Sequence, residues 1–189
     1  MENTLRRVSY YLNKFFMVPM FRLGFGAWMG TPFGGYIMVL KTIGKKTGKT
    51  RYAPVNYAIE NGNVYCIAGF GKTSDWYRNV CAHPTIEMMM PGGTIAGIAE
   101  DVVDQVERLR VIRQIMINAG FAGFFYGENP RTMSDDVLSE KTQDVPLLRI
   151  RPIGIGAGAY DAGGWAWIVS VLATVLSLVW LVRRPKGRS

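Results

Sequence analysis

Histidine occurs once in this 189-residue chain, cysteine twice, and 14 acidic residues face 22 basic ones. Each scarcity closes off a chemistry. His83 stands before Pro84 at a predicted helix end, a capping or packing position, and no set of His, Cys, Asp and Glu has metal-ligand spacing. Cys66 falls in a predicted strand and Cys81 in a predicted helix, so reduced thiols are expected and a disulfide framework is not. Paired carboxylates and a nucleophile–base–acid triad are absent too. No export signal is legible, because residues 5–23 are interrupted by Lys14, Pro19 and Arg22 without a small-residue cleavage pattern behind them. The net charge of +8 is not spread as a stripe: residues 31–60 carry +4 and the last seven residues another +4. That pattern suits anionic lipid or a small anionic ligand, and no nucleic-acid partner is expected.

What the chain does have is a long apolar run. Residues 165–182, WAWIVSVLATVLSLVWLV, lack any charge and lead into Arg183, Arg184, Lys186 and Arg188. As a helix at about 1.5 Å per residue the run spans roughly 27 Å, close to a bilayer's hydrocarbon core. Trp165, Trp167 and Trp180 mark its ends, where indole rings prefer the headgroup level. A single transmembrane helix is expected there, with a basic tail over 183–189. Ser170, Thr174 and Ser177 form a hydroxyl face that could pack on a second membrane helix. The run holds no histidine, so it offers no usual axial ligand to a haem.

Near the N-terminus, Leu5, Val8, Leu12, Phe15 and Phe16 follow helical spacing, with Arg6, Arg7 and Lys14 elsewhere on the wheel. Two readings are open for this region, taken as residues 1–30: a helix lying in the membrane interface, or one packing its stripe on the domain. Residues 31–151 form the domain. Strands are predicted over 36–42, 51–60, 64–68, 85–90, 94–102 and 145–151, with hairpin turns at 61–63 and 91–93. Ser74 is the expected N-cap of a short helix that ends at 82–84, and Asp104 caps a longer one to about Ala119. The fold class expected is α+β, a mainly antiparallel small barrel. Residues 152–164, with five glycines in thirteen positions, read as a flexible tether.

Lys45, Lys46, Lys49 and Arg51 crowd one turn between two strands. Glycine-flanked backbone N–H groups and four cations there would suit phosphates or carboxylates. The string GKKTGKT is not a P-loop: three residues separate Gly44 from Gly48 where four are needed, and a strand with Pro54 follows. A second element, AGFGKTSDWYRNV, combines close-approach glycines with a helix N-terminus, flat apolar surface from Trp76 and Tyr77, and polar anchors at Arg78 and Asn79. Together the two describe a groove for a long, flat, anionic molecule.

At these residues the chain resembles the deazaflavin-dependent nitroreductase family, whose members bind coenzyme F420 in a split β-barrel. The resemblance runs from about Phe16 to Pro152 and rests on VLKTIGKKTGKTRYAPVNYA, VYCIAGFGKTSDWYRNVCAHP and VPLLRIRP in that order. It implies that Lys46, Thr47, Gly48 and Arg51, beside Lys45, hold the cofactor's phosphate and oligoglutamate tail. It implies also that Ala68, Gly69, Phe70 and Gly71 run beside the deazaflavin ring, with Trp76 and Asn79 shaping the pocket. The chain departs from the family in two places: Phe70 stands near where some members carry lysine, and residues 135–138 lack a substrate-facing tyrosine.

The resemblance implies an oxidoreductase in which reduced F420 donates hydride, the protein supplying alignment and water exclusion rather than catalytic side chains. An anchored domain suits a lipid-soluble acceptor such as a quinone, with Phe124, Phe125 and Tyr126 as candidate walls. FMN, also flat and phosphorylated, is the alternative cofactor. The rival function is a noncatalytic subunit of a membrane complex that keeps the barrel as a scaffold. The expected partners are the bilayer, a small acceptor and a membrane protein. The expected location is the cell membrane with the barrel facing the cytoplasm, although the basic tail argues for the opposite insertion.

Overall fold

The structure, a computed structural model, describes Arg7 and residues 10–26, 34–120, 128–156 and 166–183. Six strands form a closed, wholly antiparallel barrel: β1 (Ile37–Ile43), β2 (Thr50–Glu60), β3 (Asn63–Ile67), β4 (Thr85–Met90), β5 (Gly93–Asp101) and β6 (Leu147–Ile155). Their order around the barrel is β1-β2-β3-β6-β5-β4. The α+β class and the antiparallel barrel expected from the sequence are what is found. Among the helices, α1 is Val18–Arg22, α2 Asp75–Ala82, α3 Gln105–Asn118, α4 Asp135–Thr142 and α5 Ala166–Arg183.

The barrel is filled by inward residues of every strand, with Met38, Leu40, Met88 and Ile150 fully enclosed and Val80 of α2 capping them. A second apolar layer lies outside, where α3 covers β2 and β3. Val111, Ile112, Ile115 and Met116 of α3 share one helical face and meet Ala58, Tyr65, Ile67 and Leu147. Asp104 starts this helix as expected, its Oδ1 accepting the Glu107 N–H at 2.7 Å, a cap worth about 1 kcal/mol. Arg149 of β6 ties the layers together: its Nη1 donates to Glu107 at 3.1 Å and its Nε to Glu100 at 2.8 Å. Helix α4 was not anticipated. Its signal was present in Ser134, whose hydroxyl accepts the Val137 N–H, followed by two aspartates in the first turn.

Three expectations need correction. Residues 152–155 are not tether but the end of β6, pairing with β5 across a register shift at Ala96/Gly97. The irregularity accommodates Pro152, which lacks a ladder donor. At the N-terminus, a π-helical turn, Asn13–Met17, runs into α1, and Met17 and Phe21 are buried against Val39 and Met89. Of the stripe read from the sequence, Leu12, Phe15 and Phe16 face outward beside Tyr10 and Tyr11, against the reading in which the stripe packs on the domain, while Leu5 and Val8 lie outside the described residues. Pro19, lacking an N–H, falls where the π-helical turn passes into α1 and cannot donate to the turn before it. Finally, α5 lies where the membrane span was expected, with its apolar side chains from Val171 to Val182 exposed. Among the described residues, however, no helix is long and apolar enough to cross a membrane. Ser177 of this helix donates its hydroxyl to the Ala173 carbonyl at 2.8 Å, satisfying itself internally.

Both cysteines are free, Cys66 enclosed in the barrel and Cys81 exposed. Burial pushes the Cys66 thiol up to about 12 from 9.0. A thiol held neutral in the fold stabilises it below its unfolded value, and this contribution is lost as pH rises toward the folded one. Stability should therefore fall by about 1.4 kcal/mol between pH 8 and 10, one pKa unit's worth. Cys66→Ala should lower stability at pH 8 but reduce that slope, as followed by denaturant melts against pH. A slope unchanged in the variant would assign it to other groups.

Candidate functional site

The groove originates in a mismatch of strand lengths. β2 pairs with β1 along residues 50–56, but β3 pairs only with residues 57–60. The first half of β2 thus presents a free edge, and Pro54 is tolerated on it. Beside this edge lies a groove of about 990 Å³. Its far wall is α2 with the preceding loop, and its rim is the turn between β1 and β2.

That turn is held by its own backbone. Gly48 and Thr47 donate their N–H groups to the Gly44 carbonyl at 2.8 and 3.2 Å, and Gly44 donates to Lys49 O at 2.9 Å. The Lys49 N–H reaches Thr47 Oγ1. Gly48 has φ +63, the left-handed conformation that favours glycine. The Lys45 N–H is taken by Asn79 Oδ1 of α2 at 2.9 Å. The expectation that this turn offers its backbone N–H groups to an anion is therefore corrected: most are already engaged. Anion recognition falls to the side chains. Lys45, Lys46, Lys49 and Arg51 are exposed and form no ion pair among the described residues.

Helix α2 is fixed against rotation by Tyr77, whose hydroxyl donates to the Asp101 carboxylate of β5 at 2.9 and 3.0 Å. Burial raises the Tyr77 pKa, and hydrogen bonds with Cys81 and Asp101 raise it further. Tyr77 consequently packs inward while Trp76 and Asn79 border the groove. Phe70 opens a 3-10 turn, Gly71–Thr73, that leads into α2.

Of the residues singled out from the sequence, Lys45, Lys46, Thr47 and Arg51 border the groove on the turn side. Gly69, Phe70, Trp76 and Asn79 border it on the α2 side. Gly48, Lys49, Ala68, Gly71 and Tyr77 do not. Gly48 shapes the back of the turn, Ala68 is fully buried with its N–H on Pro146 O, and Gly71, at φ +69, turns the loop. Asn79 is a clamp between α2 and the basic turn as well as a wall. Phe124, Phe125 and Tyr126 lie outside the described residues. Sequence reasoning missed the contribution of the N-terminal segment: Tyr10, Asn13, Lys14 and Val18 close the groove's remaining side. Lys14 adds a further cation there, and Arg22 stacks on Tyr52 at 5.1 Å.

The sequence model of the F420H(2)-dependent quinone reductase family matches residues 18–123, more than half of the chain. The protein belongs to this family. It is an oxidoreductase, and its cofactor is coenzyme F420. The match contains the basic turn, the glycine loop and α2. Solved structures include an F420-H2 dependent reductase, FDR-A, 24% identical over 61% of this chain and 93% of that one, with a TM-score of 0.44. HutZ, a heme storage protein from Vibrio cholerae, is 18% identical over 72% of this chain and 88% of that one, TM-score 0.46. At those scores neither bears on the chemistry. Family membership sets aside FMN and the noncatalytic scaffold. Nitroreduction finds only loose support.

The residues fit F420. Unpaired cations at one end of the groove suit a phosphate and several carboxylates, and Trp76 and Phe70 offer flat apolar surface beyond them.

Proposed function

We propose that the protein reduces a lipid-soluble quinone with reduced F420 at a membrane surface. The observation that carries this reading is adjacency. The segment that closes the cofactor groove through Tyr10 and Lys14 also turns Tyr11, Leu12, Phe15 and Phe16 outward. An aromatic, basic ridge of this kind enters the headgroup region of anionic membranes. It would set the groove's mouth against the apolar phase in which a quinone dissolves. The exposed side chains of α5 supply a second attachment, as a surface-lying helix, and the barrel then faces the cytoplasm. A membrane-protein partner on α5 remains compatible with this arrangement.

When bound, reduced F420 supplies the hydride and proton that convert a quinone to its quinol. The chain does the rest by placement. Lys45, Lys46 and Arg51 hold the anionic tail, Asn79 keeps that turn registered on α2, and Trp76 and Phe70 bound the ring's slot. None of the groove residues must carry a proton for the reaction to balance.

Protein in anionic liposomes, loaded with reduced F420, should oxidise it at least about tenfold faster with an embedded quinone than with a soluble nitroaromatic, a difference of about 1.4 kcal/mol in barrier. Equal or faster rates with the nitro compound would refute the acceptor assignment while leaving the cofactor assignment intact.

A further inference from the structure

The start of α2 holds hydrogen-bonding groups that neither the barrel nor the basic turn uses. Ser74 is the N-cap, with extended backbone at φ −62 and ψ 127, yet its side chain makes no cap bond. The residue is 5% exposed, and its Oγ has no hydrogen-bond partner. The first intrahelical bond of α2 runs from the Arg78 N–H to Ser74 O. The N–H groups of Asp75, Trp76 and Tyr77 precede it and so have no partner within the helix. Ser74, Asp75 and Trp76 all border the groove. A buried hydroxyl is normally satisfied, and one left open on a ligand groove beside free N–H groups has the form of a docking point.

We propose that Ser74 Oγ and the first-turn N–H groups of α2 hold a carbonyl oxygen of a flat conjugated ring lying in the groove. The inference rests on the F420-dependent reading and adds to it a second anchor. A carbonyl is favoured over another phosphate by Asp75, whose exposed carboxylate belongs to the same turn and would repel a full anion. A neutral carbonyl still gains from the positive end of the helix. A ring is favoured by Trp76, the next groove residue but one. Asn79, which meets the basic turn, lies five residues on, about 7.5 Å along the helix axis. The anion site and the carbonyl site are thus separate points of one groove. Both the deazaflavin and a quinone carry such carbonyls.

Ser74→Ala and Ser74→Thr in the full chain distinguish the sources. Oxidised F420 is titrated by its fluorescence, and KM is measured for a soluble quinone analogue. If the carbonyl is the cofactor's, Ser74→Ala weakens the F420 Kd by about fivefold or more, as expected for one lost hydrogen bond. If it is the acceptor's, Kd holds and the quinone KM rises by a similar factor. In both cases Ser74→Thr, which keeps the hydroxyl, stays within about twofold of wild type. The ligand-free Tm of Ser74→Ala should be unchanged or raised, because no cap is lost. A fall in Tm with both constants unchanged would make Ser74 an ordinary cap and overturn the proposal, as would no change in any quantity. Wild-type protein that fails to bind F420 sinks this inference and the reading beneath it; wild type that binds while Ser74→Ala leaves both the F420 Kd and the quinone KM unchanged sinks the inference alone.

Discussion

Reversing two charges on the basic turn, Lys46→Glu with Arg51→Glu, is expected to weaken F420 binding by about a hundredfold or more, about 2.7 kcal/mol. Exposed ion pairs are individually modest, each about 0–1 kcal/mol. Here, though, the turn holds several cations with no carboxylate of the protein's own to neutralise them, and the substitutions replace attraction by repulsion against a polyanion. The fold should survive, since both side chains are exposed. Lys49→Glu is the control. It belongs to the same turn but does not border the groove, so it should cost far less than either groove substitution. Fluorescence titration at low and high salt measures all of these. Undiminished affinity in the double variant would mean that the tail lies elsewhere.

Ending the chain after Gly156 is expected to release the protein from liposomes and to cut quinone turnover there by about tenfold or more, the equivalent of about 1.4 kcal/mol. The F420 Kd should change little. The barrel closes at Ile155 of β6, so nothing in its hydrogen-bonded ladder is lost. What is removed is α5, whose Leu172, Leu176, Leu178 and Leu181 are exposed. Placing half of such side chains in hydrocarbon contributes on the order of 10 kcal/mol. Flotation of both forms reads the partition directly. Retention of the shortened chain on anionic liposomes would assign attachment to the ridge from Tyr10 to Phe16, and equal turnover would refute any role for α5.

Much of the barrel was legible because its signals are local. The turn at Asn61 and Gly62, where both residues have positive φ, fixes one hairpin. Alternation in β2 and β5, and the Asp104 cap, needed nothing beyond neighbours in sequence. The misses share a cause: they depend on what packs from afar. The apolar run of β1 is buried on both sides only because Met17 and Phe21 cover Val39, which also decides the outward face of the N-terminal segment. The basic turn was visible as composition, but the capture of its N–H groups by Gly44 O, Thr47 and Asn79 was not. Ser74 was read as a cap from residue type and position. That its hydroxyl is left open on a groove emerges only in three dimensions. The groove itself follows from β2 outrunning β3: the unequal lengths were legible in the strands read over 51–60 and 64–68, but the register that leaves the first half of β2 open was not.

The central claim is that this groove recognises F420 through its anionic tail at the basic turn. The direct measurement compares binding of F420 with binding of the same deazaflavin core lacking phosphate and glutamates, across a series of salt concentrations. The claim predicts that the truncated molecule binds about a hundredfold more weakly. It predicts also that raising salt weakens F420 steeply while hardly affecting the core. Equal affinity for the two molecules, with no salt dependence for either, would contradict it.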